Sequence, residues 1–235
     1  MKTNLYALTI LFFSCNNGIE NKNLEEDFPI VEEVLKPCTY GVQFGDIDVC
    51  IPEFNGYKNI YNNEHSDLID FLESNEHPSN QLIAAFVNDI SYKEENYKTF
   101  NDSDYFKIYS VKNYRNKFSN SKDLQKIFNI HNEGFVSKNW DYVNGKMKEV
   151  ESELELDKPI LLESYKTNEN FYTLVFLLKY NMEAEEKIMV GTMNILLIKN
   201  RIIHFAYYLK YNEENQAIIK QKNNYIGLRI LDENN

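Results

Sequence analysis

The side chains of this chain that could do chemistry are four histidines, three cysteines and a scatter of neighbouring carboxylates. His65, His77, His131 and His204 fall far apart, none at metal-ligand spacing from another histidine or from a cysteine. Dedicated zinc sites draw such ligands in short regular steps, so no metal or cofactor is expected. His204 stands inside an apolar and aromatic run (Ile203, Phe205, Tyr207, Tyr208). There an imidazole is either a pocket residue or one hydrogen-bonded in or beside the core. Asp67 with Asp70, Asp102 with Asp104, and the acidic run 149–157 bring carboxylates close together. Acid–base catalysis needs two carboxylates at a fixed separation in unlike environments, and a solvated helix face accounts for the acidic run instead. Asn101-Asp102-Ser103-Asp104 clusters oxygens as a weak calcium site would. It lacks the glycine and closing glutamate of an EF-hand, so a polar turn is the simpler reading. No glycine-rich phosphate loop and no nucleophile elbow occurs, so no catalytic residue is nominated. Gly191-Thr192-Met193 lies inside a strand-like run, where glycine marks a bulge or a close backbone contact. The 17 tyrosines and 15 phenylalanines could build binding patches, but most alternate within strands and read as core; Trp140 sits near a helix start.

Cys15 is set apart by what precedes it. Lys2 is followed by an apolar run from Leu5 to Phe13, then Ser14 and Cys15, after which the chain turns polar at once. A charged start, a short apolar core and a small residue before the cut are the layout of a secretory signal. The run is too short to cross a hydrocarbon core as a helix, which needs about 20 residues. Leu11-Phe12-Phe13-Ser14-Cys15 resembles the lipobox of bacterial lipoproteins. The resemblance implies that residues 1–14 are removed and that Cys15 carries diacylglycerol as the first mature residue. It places the protein in the bacterial cell envelope, on the outer membrane or the periplasmic face of a membrane. Acyl chains hold a domain at a bilayer at roughly 0.8 kcal/mol per buried methylene, without a spanning helix. The residue-level alternatives are an incidental cysteine near an ordinary signal cut, or a buried strand over 5–13.

Charge narrows the partners. Lys and Arg number 25 against 36 Asp and Glu, a net −11, or −12 once Lys2 leaves with the leader. That sign repels phosphate backbones and anionic lipid, so nucleic acid is excluded and membrane contact is left to the lipid. Cys38 and Cys50 remain as an even pair in a compartment that permits disulfides. If Gln43-Phe44-Gly45 forms a three-residue hairpin loop, Cys38 faces Cys50 across the strands; a two-residue Gly45-Asp46 turn would break that match. Two free thiols are the alternative.

The elements that must position these groups follow from periodicity. Residues 16–36 read as a polar tether with a short helix before Pro37, and residues 37–235 as a single domain. Strands are expected at 47–51, 81–87 and 105–111, the last alternating imperfectly because Lys107 and Ser110 interrupt it. Helices are expected at 63–76, from Ser121, and over 139–156, where Val143, Met147, Val150 and Leu154 form one seam. Residues 88–104 read as a long charged loop. Beyond Pro159 four strands follow, at 160–166, 171–180, 187–198 and 201–211, with Lys199-Asn200 as a tight hairpin turn. Asn212 then caps a closing helix whose first turn holds Glu213 and Glu214.

Consecutive strands with helices between and after them make an α+β fold: an antiparallel β-sheet flanked by helices, an α/β sandwich in one domain. Ile188-Met189-Val190-Gly191-Thr192-Met193-Asn194-Ile195-Leu196-Leu197-Ile198-Lys199-Asn200-Arg201-Ile202-Ile203, then Ala206-Tyr207-Tyr208 and the closing helix, resemble the end of PsbP/Mog1-like domains, including lipid-anchored DcrB-type proteins. The resemblance implies helices on both sides of an antiparallel sheet and brings no active-site residues with it. Three functions are in contention: a lipid-anchored, non-enzymatic module binding an unknown protein or small ligand; an immunity-type protein whose acidic surface meets a basic toxin; and a hydrolase with an unrecognised site.

Overall fold

A run such as Arg201–Lys210, apolar on both alternating faces, can be satisfied only as a strand covered on both sides. The computed structural model describes residues 38, 40–61, 73, 76–93, 104–134, 155–182 and 185–234. The leader, Cys15, the tether, nearly all of the helix expected at 63–76 and most of the one expected at 139–156 lie outside them. So do His65, Asp67, Asp70, Asp102 and Trp140. In chain order the elements are β1 (Gly41–Phe44), β2 (Ile47–Cys50), β3 (Tyr57–Asn59), β4 (Asn80–Asn88), α1 (Asp89–Lys93), β5 (Tyr105–Val111) and α2 (Ser121–Gly134). They continue with β6 (Glu155–Leu156), β7 (Ile160–Asn168), β8 (Phe171–Met182), β9 (Glu185–Ile198), β10 (Arg201–Lys210) and α3 (Glu213–Asp232).

One antiparallel sheet runs β3-β4-β5-β10-β9-β8, with β7 and β6 sharing the outer edge of β8, and β1 with β2 forms a separate hairpin. β10 lies at the centre with nine of its ten residues buried, which is why its run is continuously apolar. Leu174, Phe176 and Leu178 of β8, with Tyr109 and Tyr208, face a core closed by Leu124, Ile127 and Phe128 of α2. Phe171, Val175, Leu196 and Phe205 face the other core, closed by Ile219, Ile226 and Ile230 of α3 and by Phe44 and Val49 of the hairpin. Because strand side chains alternate with a period of two, a one-residue slip would exchange the two cores. The protein is therefore β-rich, a single compact domain with helices flanking an antiparallel sheet.

Several local expectations hold. Lys199 and Asn200 both take positive φ, 45° and 61°, in the two-residue turn joining β9 to β10. The Asn212 side chain caps α3, accepting from the Asn215 N–H at 2.6 Å. Gly191 is a close contact: a Cβ there would press on the rings of Phe176 and Tyr208.

Others need correction. The first hairpin turns over Gly45-Asp46, with Phe44 opposite Ile47, and not over three residues. Gly45, at φ 67°, takes the first turn position, and the Arg115 backbone leaves no room for a side chain on it. Gly41, not Cys38, consequently faces Cys50. The Cys38 and Cys50 Cα atoms nonetheless lie 5.7 Å apart, and a disulfide joins them. Arg201 fastens this hairpin to the sheet by an ion pair to Asp46 at 2.5 Å, holding the Asp46 carboxyl below its ordinary range. Glu155 and Leu156, expected to end a helix, pair as β6 with Asn181 and Tyr180. The expected loop 88–104 opens with the short helix α1.

Candidate functional site

The site with the most varied chemistry is a cleft of about 700 Å³ at the end of the sheet, between the β3 and β4 ends, α1 and α3. Asp104 enters β5 at its floor. The backbone fixes its position: its carbonyl accepts from the Asn88 N–H at 3.0 Å, and the Asp89 N–H donates to the Gly56 carbonyl at 2.8 Å. The Tyr57 hydroxyl donates to Asp104 Oδ1 at 2.7 Å, and Lys222 Nζ, from α3, donates to Oδ2 at 2.7 Å. Behind Tyr57 lies the Tyr207 hydroxyl, 3.2 Å away. Burial, and then the charge of Asp104, push both phenols far up. They stay protonated, so with the Tyr57 proton committed to Asp104, Tyr207 donates to the Tyr57 oxygen. The result is a one-way chain of donors ending on a carboxylate whose two oxygens are both held.

The rim is apolar. Ile90 of α1 is 69% exposed and Tyr225 of α3 is 43% exposed. Both line the cleft with Ile226, Asn55, Asn88, Asp89 and Ser91. The Ser91 N–H bonds Asn88 Oδ1 at 2.8 Å, whereas Asp89 Oδ1 is buried with no hydrogen-bond partner among the described residues.

On the opposite face of the sheet sits a second polar cluster. Lys107 Nζ and Glu76 Oε2 form an ion pair at 2.5 Å with side chains only 2% and 5% exposed. Lys107 also lies over the Tyr109 ring, 5.4 Å from its centroid. Tyr109 stacks on His204 at 5.3 Å, and His131 of α2 meets His204 edge-on at 6.3 Å. Burial drives the His131 imidazole down to about 4, and burial followed by the neighbouring His131 drives His204 down to about 3. His204 Nδ1 and the Tyr208 hydroxyl have no hydrogen-bond partner among the described residues. A third polar group, Thr173, Thr192, Asn194 and Asn223, is fully buried beneath α3. There Asn194 and Asn223 exchange amide bonds of 2.8 and 2.9 Å.

The residues nominated from sequence are thus dispersed. His204 is a buried core residue beside His131, while His77 bonds Ser79 in an exposed turn, Nδ1 to Oγ 2.6 Å. Of the described members of the carboxylate pairs, Asp104 reaches the cleft. Asp157, at the end of the acidic run, pairs loosely with Lys179 at 3.9 Å. Among the described residues no three His, Cys, Asp or Glu side chains group to hold a metal, and no helix is long and apolar enough to cross a membrane.

Sequence reasoning missed Tyr57, Lys222 and Tyr225, which look like ordinary strand and helix residues. It also missed the buried Lys107–Glu76 pair, although a lysine breaking the alternation of β5 was a signal that it needed an internal partner. Comparison with protein-family models, with curated proteins and with solved structures finds no match.

Proposed function

We propose that this chain is a lipid-anchored, non-enzymatic binding module of the bacterial cell envelope that receives a protein or small ligand in the Asp104 cleft. Its fold is read as an α/β sandwich of the PsbP/Mog1-like kind. The anchoring half of the reading rests on Ser14-Cys15 and the apolar run before it. The binding half rests on one observation: Asp104, with both oxygens fixed by Tyr57 and Lys222, sits in an open cleft rimmed by exposed apolar side chains. Mostly apolar walls with a few oriented polar groups are the usual makeup of a recognition site, and fixed groups lose little entropy on binding. Tyr57 and Tyr207, held as phenols, spend their protons on fixing Asp104 and supply no base.

The net charge of −11 favours the immunity-type version of this reading, in which the partner is basic. A hydrolase centred on His204 is the weaker reading, because His204 lies on the sheet face opposite the cleft.

Two measurements test the proposal. Cys15→Ser should abolish lipid labelling and membrane fractionation; unchanged pelleting refutes the anchor. The lipidated protein, solubilised in detergent, should retain a stoichiometric partner that Tyr225→Ala and Ile90→Asp release. Equal retention by these folded variants refutes the cleft as the binding site.

A further inference from the structure

Building on the binding-module reading, we infer that the cleft takes an ammonium or guanidinium group carried on an apolar stem. The charge count comes first. Asp89 and Asp104 put two carboxylates on the cleft, and among the described residues Lys222 is the single cation lining it. The lining therefore carries a net −1 among the described residues, inside a chain that is itself strongly acidic. An acidic field of this kind steers cations toward such a mouth.

The second observation concerns which carboxylate is satisfied. Both oxygens of Asp104 are engaged, whereas Asp89 Oδ1 is buried and unpartnered among the described residues. A buried acceptor without a donor is costly, and the most favourable donor for a carboxylate is a charged N–H. The third is shape and polarity. Ile90, Ile226 and the half-exposed Tyr225 supply an apolar wall, and an aromatic ring beside a cation adds an electrostatic attraction of its own. An anionic ligand would meet Asp89 unscreened. A neutral one would leave the acidic balance of the lining unanswered.

The same chemistry occurs on a lysine or arginine side chain of a basic partner and on a free alkyl amine. The experiment separates them. The detergent-solubilised full chain is labelled at isoleucine δ1 methyls, so that Ile90 and Ile226 report from the cleft itself. It is titrated with pentane-1,5-diamine, with a neutral hexapeptide carrying one central lysine, with pentanol and with hexanoate. Saturable shifts of the Ile90 and Ile226 methyls with the two cationic probes only are expected. Asp89→Asn should weaken them about tenfold with thermal unfolding unchanged. Lys222→Met, which removes the competing cation, should tighten them several-fold, a change in the direction that damage to the fold does not produce. Tighter binding of the peptide assigns the group to a protein partner, and tighter binding of the diamine assigns it to a small amine. Pentanol or hexanoate binding as well as the cations, or no weakening in Asp89→Asn, overturns the inference while leaving the binding-module reading standing. If no probe of any charge moves either methyl, both fall.

Discussion

Acidification should unfold this protein through two histidines that its core holds neutral. His131 and His204 ordinarily titrate near 6.5, and burial lowers them to about 4 and about 3. A depressed imidazole stays neutral in the fold and takes a proton only on unfolding. Stability from this pair is therefore unaffected above about pH 6.5 and falls as pH drops from there toward the folded values. Between about pH 6.5 and 4.5 the unfolded chain binds up to two protons that the native state refuses, a slope of about 2.7 kcal/mol per pH unit for the pair. Near pH 4.5 each histidine has lost about 2.5 kcal/mol, about 5 kcal/mol together, comparable with the whole stability of many domains. Urea denaturation followed by circular dichroism across this range measures the loss. His204→Phe preserves a ring to stack on Tyr109, and His131→Leu keeps an apolar side chain on α2. The double variant should lose about 5 kcal/mol less than the parent over the same interval, since every other titrating group is common to both. Parallel loss in parent and double variant would refute the reasoning, because it would assign the acid sensitivity to the carboxylates.

Lys107→Met leaves Glu76 buried without its partner and should cost about 3–5 kcal/mol in urea denaturation, while Lys107→Met with Glu76→Leu should recover most of that loss. Reducing the Cys38–Cys50 bond, which spans 12 residues, should lower stability by about 2–3 kcal/mol, read as a fall in the urea midpoint on adding a reductant. Asn223→Leu strips the bonds of Asn223 to Thr192, Asn194 and Thr173, leaving the Thr192 hydroxyl without its buried acceptor and Asn194 with only Thr173, Thr192 and the Phe205 carbonyl, so a loss of about 3 kcal/mol is expected in the same assay.

The sheet was legible because its rules are local. The largely apolar runs of β8, β9 and β10 are readable within about ten residues, and Lys199-Asn200 is a turn signal between adjacent strands. The first turn stayed open between Gln43-Phe44-Gly45 and Gly45-Asp46, since glycine suits either and the Arg115 backbone that packs on Gly45 lies far along the chain. β3 and β6, of three and two residues, are too short to show a period at all. The cleft was illegible for a related reason. Tyr57 and Lys222 lie 47 and 118 residues from Asp104, and nothing in the sequence near any of them announces the other two. A carboxylate in a charged loop reads as solvated until a lysine and a phenol arrive from elsewhere.

What brings the lysine there is the polar core beneath α3. A helix lying on an apolar sheet by greasy contacts alone can rotate or slide at little cost, because hydrophobic packing is not directional. Asn223 removes that freedom: its amide fits Asn194 reciprocally, and it also receives the Thr192 hydroxyl at 2.6 Å. Gly227, one turn further on, lets the helix backbone settle against the Phe171 ring, where any side chain would collide. Successive helical residues differ by about 100° around the axis, so fixing Asn223 inward fixes where Lys222 and Tyr225 emerge. Lys222 reaches Asp104, and Tyr225 reaches the rim. A one-residue slip of α3 would aim Asn223 or Gln221 at Asp104 in place of the ammonium and strip Asn194 and Thr192 of their bonds to Asn223 in the core. The buried amide pair and the exposed cleft are thus one arrangement, and the polar groups that weaken the core as a hydrophobic body give the site its geometry.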